Sequence, residues 1–93
     1  MEGIVTSPDV MGGEPRLEGR RVSVRQIAEL VIDGGNAPAA VADQLGVSLA
    51  DVHLALAYHY RHPEEMAAVR EQHREQLQEA SDEAIQPPAT LTQ

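Results

Sequence analysis

Apolar residues recur at helical spacing in four stretches divided by Gly or Pro, whereas the first 25 residues show no such period. Val24, Ile27, Leu30 and Val31 mark a first helix that Ser23 can cap, with Gln26 at the capping-box offset and Gly34-Gly35 as the stop. Pro38 opens a second helix, since a proline at the first helical position gives up no hydrogen bond; Val41 and Leu45 form its stripe, and Gly46 ends it. Ser48 caps a third helix that runs from Leu49 to about Arg61, with Asp51 three residues on and Val52, Ala55 and Leu56 facing inward. His62-Pro63 breaks it. A fourth helix then runs from Pro63 to about Ala84, with Met66, Val69, His73, Leu77, Ala80 and Ala84 as a narrow stripe on an otherwise polar surface.

Before these helices, Ser7-Pro8-Asp9 and Gly12-Gly13-Glu14-Pro15 favour turns. Arg16 to Val24 places two short strand-like arms around Glu18-Gly19, which predicts a small hairpin or meander. The expected fold is therefore mainly α: a short N-terminal β-hairpin, a three-helix helix-turn-helix-like core and a polar fourth helix. A short helix, a Gly46-Val47 turn and a longer helix capped by Ser48 make the helix-turn-helix pattern, although any three-helix bundle with a Gly turn shares it. The chain divides into a domain over 1–61, a partner-binding helix over 62–86 and a tail over 87–93, where Gln86-Pro87-Pro88 predicts disorder.

Composition sharpens the division. Ninety-three residues suffice for one small domain, and with 13 Ala, no Phe or Trp and only Tyr58 and Tyr60 as aromatics the core is thin. A core this thin favours a partner or self-association. The absence of cysteine sets aside a disulfide-stapled scaffold. Fifteen acids oppose seven bases, all of them Arg, for a net charge of −8. That balance argues against a general nucleic-acid coat or a binder of anionic membranes. It fits a cytoplasm near molar salt, where the Debye length falls to about 3 Å; an ordinary high-GC bacterium is the competing reading. No apolar run approaches the roughly 18 residues that span a bilayer, and no basic-then-apolar leader opens the chain, so a soluble cytoplasmic protein is expected.

The run from Ser7 to Val24 carries an Asp, a Gly13-Glu14-Pro15 step, then Gly19-Arg20-Arg21 and a β-branched lead into the first helix. This run resembles the opening motif of the domain of unknown function 433 family. The likeness continues through Ile27 to Gly35, Val41 to Val47 and Asp51 to Tyr58, and Tyr60 to Met66 looks like the continuation seen in halophilic archaeal members. Arg20 stands where the family usually has Thr, and Glu14 where a base is common. The resemblance implies a small helix-turn-helix-type fold and, for many members, an antitoxin role beside a toxin with a PIN-like nuclease fold.

Chemistry narrows the options further. Base readout wants Arg, Lys, Asn or Gln on the inserted helix, and none occurs between Ser48 and Tyr60. The bases cluster instead at Arg16, Arg20, Arg21 and Arg25, which are either a phosphate contact on operator DNA or ordinary surface charge paired with Glu14, Glu18 and Glu29. Residues 1–61 carry five Arg against eight acids (net −3) and residues 62–93 two Arg against seven (net −5), so the first part repels phosphate less. Leu54, Ala57 and Tyr58 cannot all face the core with Val52, Ala55 and Leu56; they form a candidate homodimer face, unless Tyr58 caps the core against the hairpin. His59 and His62, with His53 and Glu65 near, lack the convergent set that zinc needs, and neither a metal nor another cofactor is expected. No catalytic triad, phosphate loop or paired carboxylates can be argued, so an enzyme is not expected. The leading expectation is a dimeric antitoxin whose fourth helix buries Met66, Val69 and Leu77 in a nuclease toxin, with Glu71, Glu75 and Glu79 meeting its positive charge. The alternative is a stand-alone dimeric regulatory module in which that helix completes the homodimer.

Overall fold

The computed structural model describes residues 2–91 and the side chains of residues 2–82. Its elements are strands β1 (Ile4–Val5) and β2 (Arg16–Leu17) and helices α1 (Val24–Ala28), α2 (Pro38–Leu45), α3 (Leu49–Arg61) and α4 (Pro63–Leu91). A 3-10 turn spans Met11–Gly13, and α1 continues directly into a π-helical turn over Glu29–Asp33. The fold is mainly helical with a short antiparallel two-stranded sheet, as the sequence pattern predicts.

The helix boundaries follow their local chemistry. Ser23 accepts the Gln26 amide while the Gln26 side chain accepts the Ser23 amide, and Ser48 and Asp51 repeat this reciprocal cap on α3. Each pair satisfies two amides that the first helical turn leaves without partners. Gly46 takes φ 69°, the left-handed conformation that ends α2, and the chain then turns by 112° into α3. That is the geometry of a helix-turn-helix. The stop after α1 differs in detail: Gly34 stays helical, Gly35 carries the positive φ, and the Asn36 amide side chain donates to the Leu30 carbonyl.

The expected meander is present, and one expectation about α4 is corrected. β2 pairs on one side with β1, in the register Ile4 to Leu17 and Val5 to Arg16, and on the other with the Val22–Val24 arm that the sequence predicts, through the antiparallel Arg16 to Ser23 bridge. Across that bridge the Leu17 amide donates to the Val22 carbonyl and the Val24 amide to the Pro15 carbonyl, and the Arg20 amide donates to the Leu17 carbonyl in the Glu18-Gly19 turn. Along α4, the helical backbone continues past Ala84 to Leu91, through Gln86-Pro87-Pro88, so the boundary expected before residue 87 is absent there. The rest of the expected tail, residues 92 and 93, lies outside the described residues.

The core is one cluster of Ile4, Leu17, Val24, Ile27, Val41, Ala42, Val52, Ala55, Tyr58 and Met66. It contains no side chain larger than tyrosine. Val22, Leu30, Val31, Leu45, Val47, Leu54, Leu56 and Val69 pack around it, half-buried. Every helix contributes, and the first turns of α4 lie against α1 and α3. The β1 end is tightly fitted as well, because a Cβ added at Gly3 (φ 88°) would sit 2.5 Å from Leu54 Cδ2. The molecule measures 54 × 27 × 23 Å, with α4 reaching beyond the head.

Candidate partner-binding site

Among the described residues the exposed large apolar side chains are Ile32, Leu49, Tyr60 and Leu77, and Leu77 is the one that continues a buried stripe on α4. At about 100° per residue, Met66, His73, Leu77 and Ala80 lie within roughly 60° of one another and Val69 at the edge of the same stripe. Met66 is 1% exposed and Val69 is half-buried against the core. His73 and Gln76 lie beside the Met11–Glu14 turn. Beyond them the head ends, and Leu77 is 57% exposed. Ala80 and Ser81 are exposed as well.

Met66 is therefore not available to a toxin, because its side chain closes the core of its own chain. Val69 is partly spent in the same way. The periodicity of α4 reveals the stripe but not how far along it the head reaches. The acids fall elsewhere: Glu71, Glu75, Glu79 and Asp82 lie about 120–160° round the helix from Leu77. A flat partner cannot meet Leu77 and those carboxylates together. Arg74 donates to Glu71, and this exposed pair holds the Glu71 carboxyl below its usual range through the hydrogen bond and the guanidinium charge.

The junction between α3 and α4 holds the arm in place. Tyr58 is 8% exposed, its hydroxyl donates to Glu65 Oε1 at 2.6 Å, and its ring lies 4.1 Å from that of His62. Burial, then the hydrogen bond to Glu65 and its charge, push the phenol up to about 12. Arg70 reaches Asp33 at 3.6 Å, tying α4 to the π-helical turn. His59 packs beside Arg70 with its Nδ1 buried and unpartnered, and burial, followed by the Arg70 charge, lowers its pKa. The Arg70 Nε is buried without a partner as well. Sequence spacing could have suggested the Tyr58–Glu65 contact, seven residues apart across the Pro63 break, but the pattern carries no sign of Asp33 meeting Arg70.

The expected dimer face of α3 does not form one surface. Tyr58 belongs to the core, Leu54 packs half-buried against Gly3, and Ala57 alone of the three is exposed. Tyr58 caps the core on the α4 side through its bond to Glu65.

The arginines also separate. Arg25 is 8% exposed and is bound at 3.0 Å by both Glu14 and Glu29, so its buried guanidinium is neutralised by two carboxylates and is not free for phosphate. This pairing explains an acid at position 14. Arg16 donates to Ser7 Oγ at 3.1 Å and Arg20 to the Gly46 carbonyl at 3.1 Å, while Arg21 is exposed. Arg20 and Arg21 are thus the exposed members of the four. Among the described residues no three His, Cys, Asp or Glu side chains converge on a point where a metal could sit. Among them, too, no single helix is long and apolar enough to cross a membrane; α2 and α3 satisfy that test only together, and their apolar residues build the core.

The pattern of a family described as a protein of unknown function, DUF433, matches residues 4–59. The chain belongs to the DUF433 family. The match covers β1 through most of α3, so the DUF433 unit is the head, and α4 lies outside the matched residues. Neither the curated proteins nor the solved structures provide a match.

Proposed function

We propose that this DUF433 protein is an antitoxin-like interaction module, in which the head anchors α4 and its distal stripe docks on a nuclease-type toxin. The observation that carries this reading is Leu77, 57% exposed on the stripe that buries Met66 in the head. A large apolar side chain on a helix anchored at its base is a ready insertion point for a hydrophobic groove. The family resemblance supplies the nature of the partner. Glu75 and Glu79 then act at a distance, steering a basic partner toward the arm and raising the association rate without sitting in the contact. No reaction is assigned to the protein.

A search for a nuclease-like reading frame beside this gene, followed by co-expression with its product, tests the reading. The two proteins should co-purify, and Leu77→Asp should abolish capture and release nuclease activity while leaving the head folded. Capture of the Leu77→Asp protein at the wild-type level overturns it, as does the absence of any neighbouring nuclease. A contact with operator DNA is a second reading, favoured by Arg20, whose guanidinium is held at the helix-turn-helix corner by Gly46. It predicts a gel shift that Arg20→Ala with Arg21→Ala removes.

A further inference from the structure

We infer that the free protein pairs with a second copy of itself through the distal stripe of α4, the two helices running antiparallel. This goes beyond the toxin reading and stands without it. The contact is a continuation of one that already exists, because the face carrying Met66 and Val69 onto the head runs on as Leu77 and Ala80 with nothing to cover it.

Charge selects the occupant. Two copies of a chain with net charge −8 repel unless the surfaces brought together are free of acids. The stripe meets that condition around Leu77. Its neighbours one turn either side of Leu77 are His73, Arg74, Ala80 and Ser81, while Glu71, Glu75, Glu79, Asp82 and Glu83 occupy positions about 120° or more round the helix from Leu77. Ala80 and Ser81 are small enough to let two helix axes approach to the 8–10 Å typical of packed helices.

The head selects the direction. It lies on the stripe side of the first half of α4, so two parallel arms would drive two heads into the same space. Antiparallel arms place the heads at opposite ends and leave one distal stripe facing the other. A face built on one leucine and small residues buries less than a standard interface, so the pair is weak and depends on concentration. Pairing covers Leu77, so self-association and capture of a toxin on this stripe exclude each other.

Sedimentation velocity of the full-length protein over a rising concentration series reads the pairing. The weight-average mass should climb from 10.1 kDa toward twice that value. Leu77→Asp and, independently, Ala80→Glu should hold it at the monomer with unchanged helix content, and Glu75→Gln on the far face should leave the climb intact. A wild-type mass that stays at the monomer value overturns the proposal, and so does a Leu77→Asp protein that associates as the wild type does. A monomer that still captures a nuclease overturns the pairing alone. The direction has its own test, because the chain has no cysteine and a spin label at Glu64→Cys is unique. Antiparallel arms set the two labels more than about 40 Å apart, twice the roughly 21 Å from Pro63 to Leu77 at 1.5 Å per residue. A separation of about one helix diameter overturns that arrangement.

Discussion

In the first two turns of α4, Met66 is 1% exposed and Val69 is half-buried; three turns further along the same stripe, Leu77 is 57% exposed. The residue pattern does not change between these halves. What changes is the reach of the head, which ends near the Met11–Glu14 turn. A helical stripe thus serves as core where a neighbour is present and as docking surface where it is not, and the boundary is set by a loop some 60 residues away in sequence.

The largest expected effect comes from breaking the buried half. Met66→Ala should cost about 2–5 kcal/mol, the range for large-to-small core changes, and thermal unfolding would register this as loss of the whole head. If Met66 instead served only a partner, the melting temperature would not move. Tyr58→Phe sharpens the same half from the other side of the junction. Losing the bond to Glu65 should cost about 1 kcal/mol by denaturant titration. The sign of the pH effect follows from the raised pKa of the phenol. The unfolded tyrosine loses its proton near pH 10 and the folded one near 12, so stability is intact below pH 10. It then falls by about 2–3 kcal/mol as pH rises from 10 to 12, and Tyr58→Phe should flatten that fall.

Arg70→Met should change stability by no more than about 1 kcal/mol, because its pair with Asp33 is partly exposed. His59 adds an acid-side signature. Its folded pKa lies below the unfolded value, so the unfolded chain binds the extra proton and stability declines as pH drops through about 6.5. Removing the Arg70 charge should lessen that decline in a pH series of unfolding curves. Leu77→Ala, in the open half, should stay within about 0.5 kcal/mol of the wild type. A larger loss would mean that the distal stripe contributes to the monomer's own core.

Much of the helical scaffold was legible because it depends on local chemistry. Ser23 with Gln26, Ser48 with Asp51, Pro38 at a helix start and Gly46 at a helix end each state a boundary within four residues. Partners distant along the chain were not legible. The Glu18-Gly19 turn made the pairing of β2 with the Val22–Val24 arm legible, whereas nothing local marked Ile4-Val5 as the other neighbour of β2. For Arg25 the residue pattern left a phosphate and a pair with Glu14 or Glu29 both open, and the fold takes the pair. At the candidate site, the spacing in α4 located the stripe correctly, but it grouped Met66 with Leu77 and placed Glu75 and Glu79 in the same contact. Only the position of the head and the angular placement of each residue separate them.

The π-helical turn at Glu29–Asp33 bears on how the chain tolerates changes in length. Such a turn closes its hydrogen-bonded ring over one more residue than an α-helical turn, as the Gly34 amide reaching back to Glu29 shows. Excising one residue there would let the segment tighten to ordinary α spacing while Ile27 and Val41 kept their places on either side. A relative that is one residue shorter between Ala28 and Gly35 can therefore share this architecture unchanged, and a gap at that point marks a local rewinding of one helix, not a different fold.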